Sequence, residues 1–374
     1  MTESQGRVWT GVLRVGPHRG DHRVALRAAV SVAVPLLVLW AVGRLDLSIY
    51  ASFGAFAALY GRHDVFRDRI RMQASAGGVL LGAMLIGTAL SVLAAPAVLS
   101  IVVVALVASA VTLLAYVLQW HPPGPLFTVF ATGACATIPA TGASFGAVLL
   151  VGGASVLFGL ALTALVAVVT RTTAEAAPKA RPAVGPVAAE MAASVAAAIV
   201  GAGVVGLLLG GTHWYWAAVG AVAAVSGAQL NARVIRGIQR LVGTLLGVLV
   251  AAGILALDMP PLAVIAVVVV LQGAAELFIG RNYGIAMVFV TPLALLMVHL
   301  AAPTPVADLL TDRVLETIIG VVVGTVVAVT SAALRRRSRR RWRDDEAPHP
   351  GRDAALRGEA STRRPRRSSA HRRR

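Results

Sequence analysis

The chain has 374 residues, of which 57% are hydrophobic and only 14% are charged. Soluble domains carry charged residues at about a quarter of their positions. Between residues 24 and 334 the charges also occur in short clusters separated by long apolar runs, so the composition excludes a soluble globular protein and favours a polytopic membrane protein. The single cysteine, Cys135, lies in an apolar run, which leaves no intramolecular disulfide and no cysteine-based redox or metal motif.

Twelve apolar segments follow one another along the chain, and each is predicted to be a helix. They cover residues 24–42, 48–60, 74–94, 97–119, 125–140, 144–170, 186–210, 214–230, 241–257, 262–280, 283–301 and 314–334. A helix of about 20 residues crosses a hydrocarbon core of about 30 Å at about 1.5 Å per residue. The sequence therefore predicts an all-α membrane protein of about twelve transmembrane segments joined by short loops.

Composition divides the chain into five regions. Residues 1–23 form a basic leader, and the polar linker 171–185 separates a first six-helix repeat, 24–170, from a second, 186–334. Nearly half of the 34 lysines and arginines lie in 335–374, where high charge and low hydrophobicity predict a disordered tail. The alternatives for this tail are contact with anionic lipid and a solvated stop-transfer anchor. The net charge of +17 therefore does not indicate a specific nucleic-acid partner.

The positions of the basic residues predict the topology. If the amino terminus is cytoplasmic, almost all lysines and arginines before the tail fall at inside positions, and only Arg44 and Arg313 fall at outside positions. Such a bias is typical of cytoplasmic loops. We therefore expect a multi-pass protein of the cytoplasmic membrane with both termini in the cytoplasm.

A repeated pattern relates residues 50–82 to residues 213–247. Glycines and arginines recur at a separation of 165 or 166 positions: Gly54/Gly220, Gly61/Gly227, Arg67/Arg233, Arg71/Arg236, Gly78/Gly243 and Gly82/Gly247. This spacing predicts an internal duplication. Because six segments return the chain to its starting side, the two repeats are expected to have the same orientation about a pseudo-two-fold axis along the membrane normal.

The second copy carries a family resemblance. The run WYWAAVGAVAAVSG from Trp214, the arginines that follow, QRLVGTLLG from Gln239 and the start of a later span at 281–283 resemble the FUSC family, which comprises fusaric-acid-resistance and aromatic-acid-exporter-like integral membrane transporters. The resemblance covers residues 188–333 best, and the first half looks like a diverged copy. It implies efflux of aromatic or other organic acids. The same architecture resembles plant aluminium-activated malate channels, in which basic residues line an anion pathway.

Short or interrupted segments in matching positions are the best sequence pointer to a substrate site in repeat-built transporters. Segment 48–60 is too short to span unaided, and Gly133 and Pro292 weaken the fifth helix of each half. We therefore predict a central cavity at the interface between the repeats, bordered by Tyr50, Ser52, Trp216, Gln229, Thr132 and Thr291. The alternative is that the glycines only let helices approach, and for Gly78/Gly82 and Gly243/Gly247 we favour this alternative.

Arginines on the two loops form the second part of the predicted pathway. The candidate residues are Arg67, Arg71, Arg233, Arg236 and Arg240, and Arg69 lies among them. Cations around one inner opening would concentrate organic anions by electrostatic focusing. The positive-inside rule alone is the alternative explanation.

A proton-coupled carrier requires a protonatable group at depth, and Glu276 is the candidate. Its alternative is a position near the membrane boundary, paired with a basic residue. Asp312, Arg313 and Glu316 are interpreted as a boundary cluster at the start of the last segment, and His213 and His299 as boundary residues.

The function predicted from these features is export of aromatic or other organic anions, with the membrane lipid and the small anion as partners. A passive anion channel and a non-transporting membrane scaffold with a basic recruiting tail are the alternatives. No nucleophile–base pair, paired carboxylates or metal-ligand cluster is present in the sequence, so neither an enzyme nor a cofactor or metal requirement is expected.

Overall fold

The computed structural model describes residues 10–18, 20–62, 64–170, 182–226 and 230–346. All regular secondary structure in these ranges is helical. The described chain divides into a compact unit that ends at Val329 and a second unit that begins at Thr330.

The first half forms six helices. They are α1 (Asp21–Ala41), α2 (Ser48–Ala55, continued by the 3-10 turn Phe56–Leu59), α3 (Phe66–Val92), α4 (Ala97–Val117), α5 (Leu126–Thr137) and α6 (Gly142–Val169, with a π-helical turn at Val148–Gly152). The residue before α4 is Pro96, which cannot donate a backbone hydrogen bond and therefore suits a helix start.

The second half forms another six helices. They are α7 (Pro186–Leu208), α8 (Trp214–Val225), α9 (Leu230–Leu255), α10 (Pro261–Phe278), α11 (Tyr283–Ala301) and α12 (Val306–Glu346). Pro260 precedes α10 as Pro96 precedes α4. The side chain of Asn282 caps α11 by accepting a hydrogen bond from the backbone N–H of Ile285 at 3.0 Å.

Within the described residues, nine of these helices are long and apolar enough to cross a membrane. Many of their large apolar side chains are exposed, for example Leu106, Leu157, Leu249 and Val270, as expected for surfaces that face lipid. The prediction of an all-α multi-pass membrane protein is therefore confirmed. Three apolar helices, within Leu45–Leu59, Leu126–Thr137 and Trp214–Val225, are shorter, and the number of twelve spans remains a prediction.

The two halves interleave instead of forming separate bundles. The fourth helix of each half packs against the first helix of the other, α4 on α7 and α10 on α1. The third and fifth helices pair within each half, α3 with α5 and α9 with α11, and each second helix contacts the fifth helix of the other half. This reciprocal packing supports the hypothesis of two repeats. It also means that neither half encloses its core without the other.

The second helix of each half occupies the centre of the unit. Every residue from Ser48 to Tyr60 is buried, and so is every residue from Trp214 to Val225. A helix that is apolar on all sides is expected to be surrounded by protein. At about 1.5 Å per residue, the 12 residues of α8 extend only about 18 Å, so these central helices are shorter than the membrane is thick.

Glycines lie at the closest contacts between helices, but only some of them are the glycines predicted for this role. A Cβ atom at Gly243 would lie 2.7 Å from Cβ of Met287, and one at Gly247 would lie 2.7 Å from Cβ of Thr291, so both let α9 approach α11. Gly78 and Gly82 have nothing within 4 Å of such a Cβ, so their predicted packing role is wrong. In the first half it is Gly87 that the fifth helix approaches, through Cβ of Cys135 at 2.8 Å.

The predicted tail boundary is also corrected. Helix α12 continues beyond Arg335 to Glu346, because arginine is a good helix former and the segment from 334 to 346 contains no glycine or proline. Residues 347–374, and most of the predicted linker (171–181), lie outside the described residues.

Candidate functional site

A cavity of about 620 Å³ lies inside the first unit, between helices of both halves. The first half contributes the turn after α2, the loop before α5 and the first turns of α5. The second half contributes residues of α8, α9, α10, α11 and α12. Most of the lining is apolar or aromatic, as in small-molecule sites, and the charged side chains are few.

Helix α11 shows how far the cavity extends. Five of its six lining residues are spaced by three or four positions on one face, Tyr283, Met287, Val290, Ala294 and Met297, and Leu293 lies beside them. Tyr283 and Met297 are fourteen positions apart, which corresponds to about 21 Å of helix. The cavity therefore extends over about two thirds of the thickness of a hydrocarbon core.

Two buried arginines lie on its wall. Arg240 on α9 is 2% exposed and Arg313 on α12 is 3% exposed. Nη1 of Arg240 donates a hydrogen bond to the hydroxyl of Tyr283 at 2.8 Å, and Cζ of Arg313 lies 5.0 Å from the ring centroid of Trp216. Among the residues that the structure describes, neither arginine forms a salt bridge with a carboxylate.

Donor atoms at this position are left without acceptors. Nε of Arg240, Nε of Arg313 and Nε1 of Trp216 are all buried, and none has a hydrogen-bond partner in the described part of the chain. Buried donors in folded proteins are nearly always partnered. These three donors are covered by protein atoms, so the polar groups around Trp216 are not fully compensated within the described chain.

A second charged group lies near Tyr283, at the start of α11. Arg62, in the loop after α2, forms an ion pair with Glu276 on α10, and its Nη1 also donates to the backbone carbonyl of Glu276 at 2.9 Å. The Cζ atom of Arg236 lies 5.1 Å from the ring centroid of Tyr283. The loop of the first half and α10 of the second half are thus joined by a charge pair at the rim of the cavity.

A polar cluster lies behind the Trp216 ring. The His213 ring stacks on Trp216 at a centroid distance of 4.7 Å, and Oδ2 of Asp312 lies 2.7 Å from Nδ1 of His213. The interpretation of 312–316 as a surface boundary cluster is wrong for Arg313 and Glu316, because both are buried. Because α12 begins at Val306, these two residues lie two to three turns after the start of the helix.

The other arginine assigned to an outside position lies on the surface. Arg44 pairs with Asp46 at 2.9 Å, and its hydrogen bonds lower the pKa of the Asp46 carboxyl.

The structure brings together only some of the predicted site residues. Those that line the cavity are Trp216, Arg236, Arg240 and the coupling candidate Glu276. Those that do not line it are Tyr50, Ser52, Thr132, Thr291, Arg67, Arg71 and Arg233. Gln229 lies outside the described residues.

The misplaced candidates serve local structure. Thr132 donates a hydrogen bond to the carbonyl of Thr128 in its own helix at 2.9 Å, and Thr291 packs against Gly247. Arg69 donates to the carbonyls of Gly61 and Asp64 and so fixes its own loop. Arg67 and Arg71 are exposed.

Sequence reasoning missed Arg62 and Arg313. Arg62 was grouped with its loop, although its position next to Gly61 differs from that of the helical arginines that follow. Arg313 is predicted at an outside position, in a boundary cluster at the start of the last segment, whereas α12 begins seven residues earlier, directly after Pro305.

Residues 199–327 match a family model described as fusaric acid resistance protein-like. The match includes α8–α11 with parts of α7 and α12, and thus all the second-half residues of the cavity. The predicted resemblance to the FUSC family is confirmed for this part of the chain. No curated protein and no solved structure matches the chain.

Proposed function

Because residues 199–327 carry a FUSC-family region in a multi-pass helical protein, we propose that the protein is a transporter of organic anions. The main observation in support of this proposal is the pair of buried arginines, Arg240 and Arg313, on the wall of a cavity of about 620 Å³. The proposal is of a carrier and not of an enzyme.

The energetics of burial indicate an anionic ligand. Removing a charge from water costs several kcal/mol unless a partner compensates for it. In the described residues Arg240 contacts the hydroxyl of Tyr283 and Sδ of Met287, and Arg313 lies over the aromatic face of Trp216; none of these groups is negatively charged. A carboxylate in the cavity beside them would compensate these charges and would accept charge-assisted hydrogen bonds from guanidinium N–H groups.

The apolar lining favours an aromatic body on that anion. Trp216, Phe127, Phe130 and Tyr283 contribute to the wall, and the Trp216 indole N–H is unsatisfied. Aromatic rings pack on such walls in offset or edge-to-face arrangements, which contribute about 0.5–1.5 kcal/mol per pair beyond the buried area. The volume falls in the range of sites for small organic molecules, roughly 300–1,000 Å³.

Coupling to protons is assigned to Glu276, in its ion pair with Arg62. Protonation of this carboxyl would release Arg62 and loosen the contact between the loop after α2 and α10. Export, as opposed to import, rests on the family resemblance. The Glu276→Gln variant is expected to retain exchange of the anion and to lose its dependence on a pH gradient.

Counterflow into proteoliposomes tests the proposal. The probes are radiolabelled 4-hydroxybenzoate and benzenesulfonate; the sulfonate remains ionised and therefore does not leak across lipid as a neutral acid. Arg313→Gln and Arg240→Gln are each expected to lower the initial rate at least about 30-fold, because losing one partner of a buried charged contact costs about 2–5 kcal/mol.

The matched control is Arg71→Gln, which removes an exposed arginine of α3 that does not line the cavity. Its flux should equal that of the unmodified chain. A current that follows voltage without saturation would favour the channel alternative. No flux of any probe, together with a cellular phenotype that disappears on deletion of residues 335–374, would favour the scaffold and overturn the proposal.

A further inference from the structure

A segment of the amino-terminal leader is bound to the second half of the molecule. The carbonyl of Val12 accepts hydrogen bonds from Nε2 of Gln239 at 3.0 Å and from Nδ2 of Asn282 at 2.9 Å. The backbone N–H of Gly16 donates to the carbonyl of Arg281 at 2.9 Å, and Nε of Arg281 donates to the carbonyl of Gly16 at 3.0 Å. Residues 12–16 are therefore a strap across the loop between α10 and α11.

Glycines explain why the strap can lie so close. A Cβ atom at Gly16 would lie 3.4 Å from Cα of Arg281, and one at Gly11 would lie 2.7 Å from the side chain of Ile235 on α9. Val12, between them, is buried. The strap is thus held by hydrogen bonds between its backbone and residues of the second half, and its Val12 side chain is removed from water.

A pocket of about 430 Å³, separate from the large cavity, lies between the strap, α9 and the loop that begins at Ile279. Three arginines from these three elements line it: Arg14, Arg236 and Arg281. No aspartate or glutamate is among its lining residues, and none of the three arginines forms a salt bridge in the described ranges.

Three cations without a counter-ion repel one another, and the repulsion is stronger where water is partly excluded. The remaining lining supplies no negative charge: Gln239 and Asn282 are neutral and donate to backbone carbonyls, and Arg236 and Arg281 lie over the rings of Tyr283 and Phe278. The pocket therefore combines fixed geometry with excess positive charge.

We propose that this pocket binds a phosphate-type anion, which bridges Arg14 of the strap to Arg236 and Arg281. Guanidinium groups bind phosphate oxygens through two parallel hydrogen bonds, and three guanidinium groups suit a tetrahedral anion with several acceptors. Basic pockets between helices at the membrane surface accept lipid headgroups by the same chemistry. An anionic phospholipid headgroup and free phosphate share this chemistry, and the site does not depend on the proposed transport.

Binding fastens the strap, because Arg14 is the only one of the three arginines that the strap supplies. The pocket shares Arg236 and Tyr283 with the rim of the large cavity. A bound headgroup would therefore hold the leader beside that rim.

Hydrogen exchange of the full chain in detergent micelles tests the proposal through the peptide 10–18. The additions are inorganic phosphate, short-chain phosphatidylglycerol and short-chain phosphatidylcholine, at one ionic strength maintained with sodium chloride. Phosphatidylglycerol or phosphate is expected to slow exchange of this peptide about tenfold at ten times its dissociation constant. Zwitterionic phosphatidylcholine should have little effect.

The Arg14→Gln variant is the decisive change, because the Arg14 side chain makes none of the hydrogen bonds that hold the strap. Its exchange without additions should match that of the unmodified chain, and the protection by anions should be lost. Arg14→Lys should retain part of the protection. Arg23→Gln, an exposed arginine at the start of α1, is the control and should retain all of it.

The outcomes identify the source of the anion. Protection by phosphatidylglycerol alone assigns a lipid headgroup, and protection by phosphate alone assigns a soluble ligand. Protection of Arg14→Gln equal to that of the unmodified chain, equal protection by phosphatidylcholine, or no protection by any addition would each overturn the proposal.

Discussion

Corresponding helices of the two halves make corresponding contacts, but the space beside them is filled differently. In the first half, aromatic side chains pack edge to face beside the end of α2: the ring centroids of Tyr60 and Trp120 lie 5.3 Å apart, and Tyr60 and Phe127 lie 6.1 Å apart. In the second half, the corresponding helix α8 lies directly beside two cavity arginines: Cζ of Arg313 is 5.0 Å from the ring centroid of Trp216, and Nε of Arg240 would lie 3.6 Å from a Cβ atom at Gly220.

Polar groups follow the same division. Gln73 of α3 is completely buried and donates to the carbonyls of Ala58 and Tyr60, both at 3.2 Å, so it ends the 3-10 turn after α2. On α9 the buried Arg240 bonds a tyrosine hydroxyl and keeps a free Nε. This difference indicates that the reciprocal packing of both halves encloses the cavity, whereas the charged side chains that would bind an anion come mainly from the second half.

The largest effect is expected from breaking the ion pair that joins the halves. Arg62→Met leaves the Glu276 carboxylate buried without its partner and should lower the free energy of unfolding by about 3 kcal/mol. The shift in the midpoint of thermal unfolding in detergent, followed by tryptophan fluorescence, measures this loss of stability. The double variant Arg62→Met/Glu276→Leu should recover most of the loss. If Arg62→Met costs no more than an exposed pair, the two halves are held by packing alone.

A smaller effect separates the glycines of the two halves. Gly243→Val should lower the free energy of unfolding by about 1–3 kcal/mol, because the new side chain meets Met287 and the backbone of α11. Gly78→Val, at the position that the sequence pairs with Gly243, should be neutral or slightly stabilising, since valine has a better helix propensity than glycine and nothing lies nearby. Equal losses in the two variants would contradict the different packing of α3 and α9.

The smallest effect is expected from substituting one tryptophan in each half, Trp216 and Trp120, and it compares their contributions to anion binding. Trp216→Phe weakens the contact with Arg313 by about 0.5–1 kcal/mol and should raise the concentration of benzenesulfonate for half-maximal counterflow about threefold. Trp120→Phe removes the hydrogen bond from Nε1 to Ser75 Oγ and should affect stability only. A change in half-maximal concentration for Trp120→Phe as large as that for Trp216→Phe would show that the aromatic group of the first half also contacts the anion.

The class of the protein and the order of its helices could be predicted from the amino-acid sequence. Runs of apolar residues longer than about 18 positions have few alternatives to membrane helices, because unpaired backbone groups are too costly in hydrocarbon. The shortness of α2 and α8 was also predictable, since the loop arginines that follow them limit their length. The resemblance of the second half to the FUSC family was likewise available from its residues.

Which polar residues lie close together, in contrast, is visible only in the tertiary structure. Sequence spacing gave Arg236 and Arg240 on one helical face, but whether that face meets a cavity depends on α11 and α12, which lie more than 40 positions further along the chain. Arg62 and Glu276 are 214 residues apart, and Val12 and Asn282 are 270 apart, so no local pattern could pair them. Local residues fix each helix through periodicity and capping, whereas charges become a site only where packing removes their water and brings distant side chains together.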